Sequence, residues 1–176
     1  MLKYILFSLT LILSSGSAFA QDMTSKIPVG EDGLYKPSWL YETTMDISKD
    51  FINAQQRDKI LVYLFEQPGC VYCYYMHEDV FIQENIKNLL IDNFYVIQLQ
   101  MNGMIPLKDF NGKEYPERNF SQLNKIIGTP SMVFFDSKKP ISSFDSVLES
   151  HIMTIPGAFK PEQFYDILVS IVSPEK

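Results

Sequence analysis

Cysteine is scarce in this chain: two in 176 residues, too few for the disulfide framework that holds small secreted folds together. Basic charge is scarce as well. The 15 Lys and Arg stand against 21 Asp and Glu, a formal charge of −6, which argues against nucleic acid or an anionic membrane as partner. The longest mainly apolar run, Tyr4 to Leu13, is shorter than the roughly 20 residues a spanning helix needs. No internal repeat or low-complexity segment is apparent. Apolar material is plentiful, at 46% hydrophobic and 14% aromatic residues, enough for one packed domain.

The beginning of the chain reads as a secretory signal over residues 1–20. Lys3 supplies a positive start, the apolar run follows, and Ala18-Phe19-Ala20 is a small-x-small cleavage site. Cleavage before Gln21 removes Lys3 and no acid, taking the formal charge from −6 to −7. Residues 21–45, with Pro28, Gly30, Gly33 and Pro37 in their midst, read as an irregular leader that Trp39 and Leu40 tack down. Residues 46–176 read as the folded domain.

Within that domain, Asp46 to Arg57 predicts a helix capped by Asp46 or Ser48, with Ile47, Phe51, Ile52 and Ala54 on its buried face. Ile60 to Phe65 predicts a central strand covered on both sides, and Phe94 to Leu99 a second. Tyr74 to Phe81 and Glu84 to Leu90 read as helical. Met101 to Tyr115 reads as a surface insertion with a tight turn at Asp109 to Lys113. A short helix capped by Asn119 or Ser121 is expected to run to Ile127 and stop at Gly128. Ser131 to Asp136 and His151 to Ile155 predict two more strands, joined by a loop through Ser150. A last helix starts at Pro161.

Both cysteines fall in Gly69-Cys70-Val71-Tyr72-Cys73. Two residues between them let the pair close a small disulfide ring or stay open as a dithiol, so the site can carry electrons without unfolding the chain. The preceding strand and the helix-like run after it put Cys70 at a helix N-terminus. Unpaired N–H groups and the helix dipole stabilise a thiolate there, and such placement brings a thiol from about 8.5 down to roughly 3.5–7.5. Cys73 lies one turn deeper as the resolving thiol. Tyr74 after the pair rules out the haem-attachment motif, which needs histidine there.

Strand, Cys-x-x-Cys and helix, followed by Gly128-Thr129-Pro130 before a later strand, resemble the thioredoxin superfamily over roughly Ile47 to Val172. Phe65-Glu66-Gln67-Pro68-Gly69 before the pair, Met76-His77-Glu78 after it and Ile155-Pro156-Gly157 are similar to its periplasmic SoxW-like branch. The resemblance implies an α/β thioredoxin-like fold, a mixed sheet flanked by helices, with the insertion before a cis-proline. It implies Cys70 as attacking and Cys73 as resolving cysteine, with Pro130 cis and the Thr129 backbone pairing with a substrate strand. It further implies a periplasmic thiol-disulfide oxidoreductase, reducing in direction, acting on protein or small-molecule disulfides without a cofactor. Its electrons would come from a membrane donor of the DsbD-like type.

Several residues depart from thioredoxin. Gly69 stands where its tryptophan precedes the first cysteine, and Leu64 replaces its buried aspartate. Glu66, two residues on and facing the same side of the strand, is a candidate base for Cys73, set against a solvent-exposed strand-end glutamate. Tyr72 and His77 are candidate modulators of the thiols. An alternative function is metal handling, with Cys70, Cys73 and His77 binding copper or zinc and Met76, Met101 and Met104 as soft extra ligands. For His77, helix packing or surface exposure is the plainer expectation.

Overall fold

The computed structural model describes residues 27–173; the signal reading of residues 1–20 lies outside them. The chain runs through α1 (Ile47–Gln55), β1 (Ile60–Glu66), α2 (Val71–Tyr75), α3 (Glu84–Asn93), β2 (Phe94–Gln100), β3 (Pro106–Lys108), β4 (Glu114–Pro116), α4 (Glu117–Leu123), β5 (Ser131–Phe135), β6 (His151–Pro156) and α5 (Pro161–Val172). One four-stranded sheet is ordered β2-β1-β5-β6. In it β1 is parallel to β2 and antiparallel to β5, and β5 is antiparallel to β6. The mixed sheet with helices on both faces is the expected thioredoxin-like architecture.

All seven residues of β1 are buried, because alternate side chains enter two different cores. Leu61, Tyr63 and Phe65 pack with Ile47 and Phe51 of α1 and Phe120 of α4. Val62 and Leu64 pack with Met76 and Val80, Ile86 and Leu90 of α3, and Phe164 and Leu168 of α5. A strand covered on both faces has no use for alternation, which is why its sequence is a continuous apolar run.

Asp46 caps α1 by accepting the Lys49 N–H at 3.3 Å. The buried face differs from the expected one at Ile52, which is 40% exposed, while Asp50 is fully buried. Positions 47, 50, 51 and 54 share one stripe at helical spacing, and residue 52 turns away from it. Asp50 tolerates burial because the Thr43, Thr44 and Tyr63 hydroxyls and the Thr44 N–H all donate to its carboxylate.

The insertion folds as a β3–β4 hairpin that turns at Gly112, whose φ of 79° suits glycine. The following helix departs from expectation at both ends. It starts at Glu117 after Pro116, which places Asn119 and Ser121 inside it, and it stops at Leu123. Lys125 takes a left-handed conformation (φ 56°), and the Ile126 N–H returns to the Ser121 carbonyl at 2.9 Å. That closure does the work usually given to glycine, four residues before the Gly128–Pro130 turn is complete, and leaves Ile127 92% exposed.

Between residues 27 and 45 the chain runs along the β2 edge. The Tyr41 N–H donates to the Val96 carbonyl at 2.9 Å, Trp39 meets Phe81 edge-on at 5.6 Å, and Trp39 and Leu40 pack on the second core.

Candidate active site

The last residue of β1 leads through an exposed Gln67-Pro68-Gly69 turn directly to Cys70. Gly69 has a φ of 72°, a conformation that a side chain disfavours, so glycine here is a geometric requirement. Cys70 is the N-cap of α2 and forms a disulfide with Cys73, their Cα atoms 5.2 Å apart. The two sulfurs differ in access: Cys73 is 1% exposed and Cys70 only half-buried. Val71 and Tyr72 between them point outward, at 73% and 66% exposure. Tyr72 thus flanks the disulfide as surface.

Across from the pair, the Thr129-Pro130 peptide bond is cis. The turn brings Thr129 against Cys70: its hydroxyl donates to Cys70 Sγ at 3.2 Å and its carbonyl oxygen lies 3.5 Å from that sulfur. The Cys73 N–H, at 3.1 Å, is a second donor to Sγ. When the disulfide opens, these two donors and the helix start are placed to hold a negative charge on Cys70. Pro130 is buried, and its carbonyl accepts the Gly157 N–H at 2.7 Å, tying the turn to the end of β6.

Glu66 is not at the solvent edge. It is fully buried, as is His77, and His77 Nε2 lies 3.0 and 3.1 Å from its two carboxylate oxygens. The Gln98 amide donates to the same carboxylate and, at 2.8 Å, to the Tyr35 carbonyl. Strand β1 runs one residue further than its apolar core, and the helix and the residue 27–45 segment close over that residue. His77 therefore takes neither the surface position nor a purely apolar packing role. It sits in a π-helical turn over Met76–Val80, where the Phe81 N–H reaches back to the Met76 carbonyl, beneath the Tyr35 ring at 4.9 Å and beside Phe81 at 5.2 Å. Burial, then the nearby Tyr74, Glu78 and Glu66, push the Tyr35 hydroxyl above its ordinary pKa.

The structure thus brings Cys70, Cys73 and Thr129-Pro130 together at the surface and places Glu66 and His77 as a buried pair behind them. The metal alternative's methionines do not gather: Met76 is buried and accepts the Phe159 N–H, while Met104 is 61% exposed in the insertion. Among the described residues no group of three or more His, Cys, Asp and Glu side chains is arranged to hold a metal ion. Sequence reasoning missed the Thr129 hydroxyl, Gln98 and Tyr35. Gln98 carried a signal, being the one polar residue between Phe94 and Leu99.

A strand that feeds a Cys-x-x-Cys helix, faced by a cis-proline turn in a mixed sheet, defines a thioredoxin fold. The sequence model of the thioredoxin-like domain matches residues 47–144, and the chain belongs to that family. A comparison with curated proteins gives no match. Among solved structures, a thioredoxin from Thermus thermophilus is 17% identical with a TM-score of 0.56, covering 76% of this chain and 87% of its own. A thioredoxin-fold protein from Helicobacter pylori is 18% identical with a TM-score of 0.52, covering 66% of this chain and 71% of its own. At these identities the likeness concerns the fold.

Proposed function

We propose that this protein is an exported thiol-disulfide oxidoreductase that reduces disulfides in a periplasmic compartment. The observation that carries the reading is the asymmetry of the pair, an accessible Cys70 with two donors on its sulfur and a buried Cys73 bonded to it. Cys70 thiolate attacks one sulfur of a substrate disulfide, forming a mixed disulfide and expelling the other sulfur as a thiolate. Cys73 thiolate then attacks Cys70 Sγ, the bond from Cys70 to the substrate breaks, and its electron pair leaves with the substrate sulfur. Two electrons pass from the dithiol to the substrate, and no metal or organic cofactor enters.

Thr129, beside Cys70, offers its backbone to an extended substrate segment, with Pro130 holding the turn. The reducing direction and a membrane donor of the DsbD-like type rest on the resemblance to the SoxW-like branch. Export rests on the signal reading of residues 1–20. The test is reduction of insulin by the dithiol form: wild type is expected to precipitate the insulin B chain and Cys70→Ala to leave it soluble. Equal precipitation by the two would refute the reading.

A further inference from the structure

His77 has two ring nitrogens, and only one is used. Nε2 faces both oxygens of Glu66, whereas Nδ1 is buried without a hydrogen-bond partner. Gln98 approaches the same carboxylate through its amide nitrogen, which can only donate. The Gln98 donor makes that carboxylate an acceptor, so we assign the Nε2 proton to the histidine, and a ring protonated at Nε2 alone carries its lone pair on Nδ1. Helical side chains lean toward the helix N-terminus, so His77 leans toward the preceding turn. That turn holds Cys73, four residues earlier and 1% exposed.

We propose that His77 is the general base for Cys73, and that Glu66 is the positioning residue which fixes its tautomer and stabilises the imidazolium that forms. This rests on the oxidoreductase reading of the same disulfide. In the oxidised protein Cys73 Sγ is bonded to Cys70 and has no proton to give, which accounts for the empty acceptor at Nδ1. Once a mixed disulfide sits on Cys70, the Cys73 thiol proton passes to Nδ1. The Cys73 thiolate attacks Cys70 Sγ, the substrate sulfur leaves with the bonding pair, and the imidazolium beside Glu66 releases its proton to that thiolate or to water. Glu66 itself is a poor first acceptor, since its oxygens are already occupied by His77 and Gln98.

Further groups surround the pair. Tyr35 lies over the ring and Phe81 beside it, Tyr74 and Glu78 sit on the same helix near Tyr35, and Lys36 donates to Gln98 at 2.8 Å. Lys36 and Lys87 line the small cavity that His77 borders. Glu66 is the sole carboxylate in hydrogen-bond contact with the ring among the described residues.

The test is rapid mixing of the reduced protein with Ellman's reagent. The first chromophore released reports attack by Cys70, and the second reports displacement by Cys73. His77→Gln keeps an N–H for Glu66 but no base. It is expected to leave the first phase unchanged and to slow the second by roughly a hundredfold or more, the range of general-base catalysis, with a rate then proportional to hydroxide. Glu66→Gln, which keeps shape and removes charge, slows the second phase less and in the same direction. An unchanged second phase, or an equal fall in both phases, overturns the proposal. If neither variant folds, wild type decides. A second phase that slows in deuterated water while the first does not supports the proposal, since a proton then moves in that step, and a second phase with no solvent isotope effect overturns it. Absence of the first phase in wild type would instead refute the oxidoreductase reading.

Discussion

Thr129→Val isolates the contribution of one donor to the reactive sulfur. Valine keeps the branched shape and the backbone of the Thr129-Pro130 turn and removes only the hydroxyl that reaches Cys70 Sγ at 3.2 Å. A hydrogen bond to a charged acceptor contributes roughly 1.5–3 kcal/mol. Cys70 is half-buried and water can replace part of the loss, so the lower end applies, about 1.5 kcal/mol, or close to one pKa unit. The assay is the pH dependence of iodoacetamide alkylation, in a Cys73→Ala background that leaves Cys70 as the single thiol. The alkylation midpoint is expected to move up by about one unit. Thr129→Ser, which retains the donor, should leave it in place. A midpoint unmoved by valine, or moved equally by serine, would refute the assignment of the hydroxyl as a thiolate donor.

Three further outcomes follow from the same structure. Asp50→Ala strands the donors from Thr43, Thr44 and Tyr63 in the core, and urea unfolding should show a loss of about 3 kcal/mol or more. Burial raises the Glu117 carboxyl above its ordinary pKa of 4.5. Its contribution to stability is therefore present below that value and lost as pH rises through the folded-state pKa. Glu117→Gln keeps an oxygen for the Gln100 N–H and should gain in urea midpoint over wild type at neutral pH, with the gain vanishing in acid. Finally, the protein recovered from a periplasmic extract should begin at Gln21 by mass spectrometry; an intact Met1 start would contradict the export reading.

The sheet was legible from the sequence because Ile60 to Phe65 of β1 and Met132 to Phe135 of β5 are continuous apolar runs, the pattern of strands buried on both faces. The cysteine pair was legible because its spacing is local and its chemistry belongs to two side chains. The end of α4 was not, since Lys125 occupies a left-handed position usually marked by glycine. Ile52 was misplaced for a related reason: its hydropathy suits a core, while helical phase gives the buried position to Asp50 and leaves the cost of burying that charge to Thr43, Thr44 and Tyr63. The Glu66–His77 pair needed the fold. One residue ends a strand and the other lies in a π-helical turn, and their partners Gln98 and Tyr35 come from a neighbouring strand and the segment before α1. No spacing in the sequence joins those four residues.

The central claim is that Cys70 captures substrate sulfur and Cys73 releases it. Its most direct measurement is the mass of Cys73→Ala protein purified after thiol blocking from cells that secrete it. Adducts at Cys70 are expected that disappear on reduction and are missing from the Cys70→Ala, Cys73→Ala double variant. Cys73→Ala protein recovered with Cys70 blocked only by the alkylating reagent would contradict it.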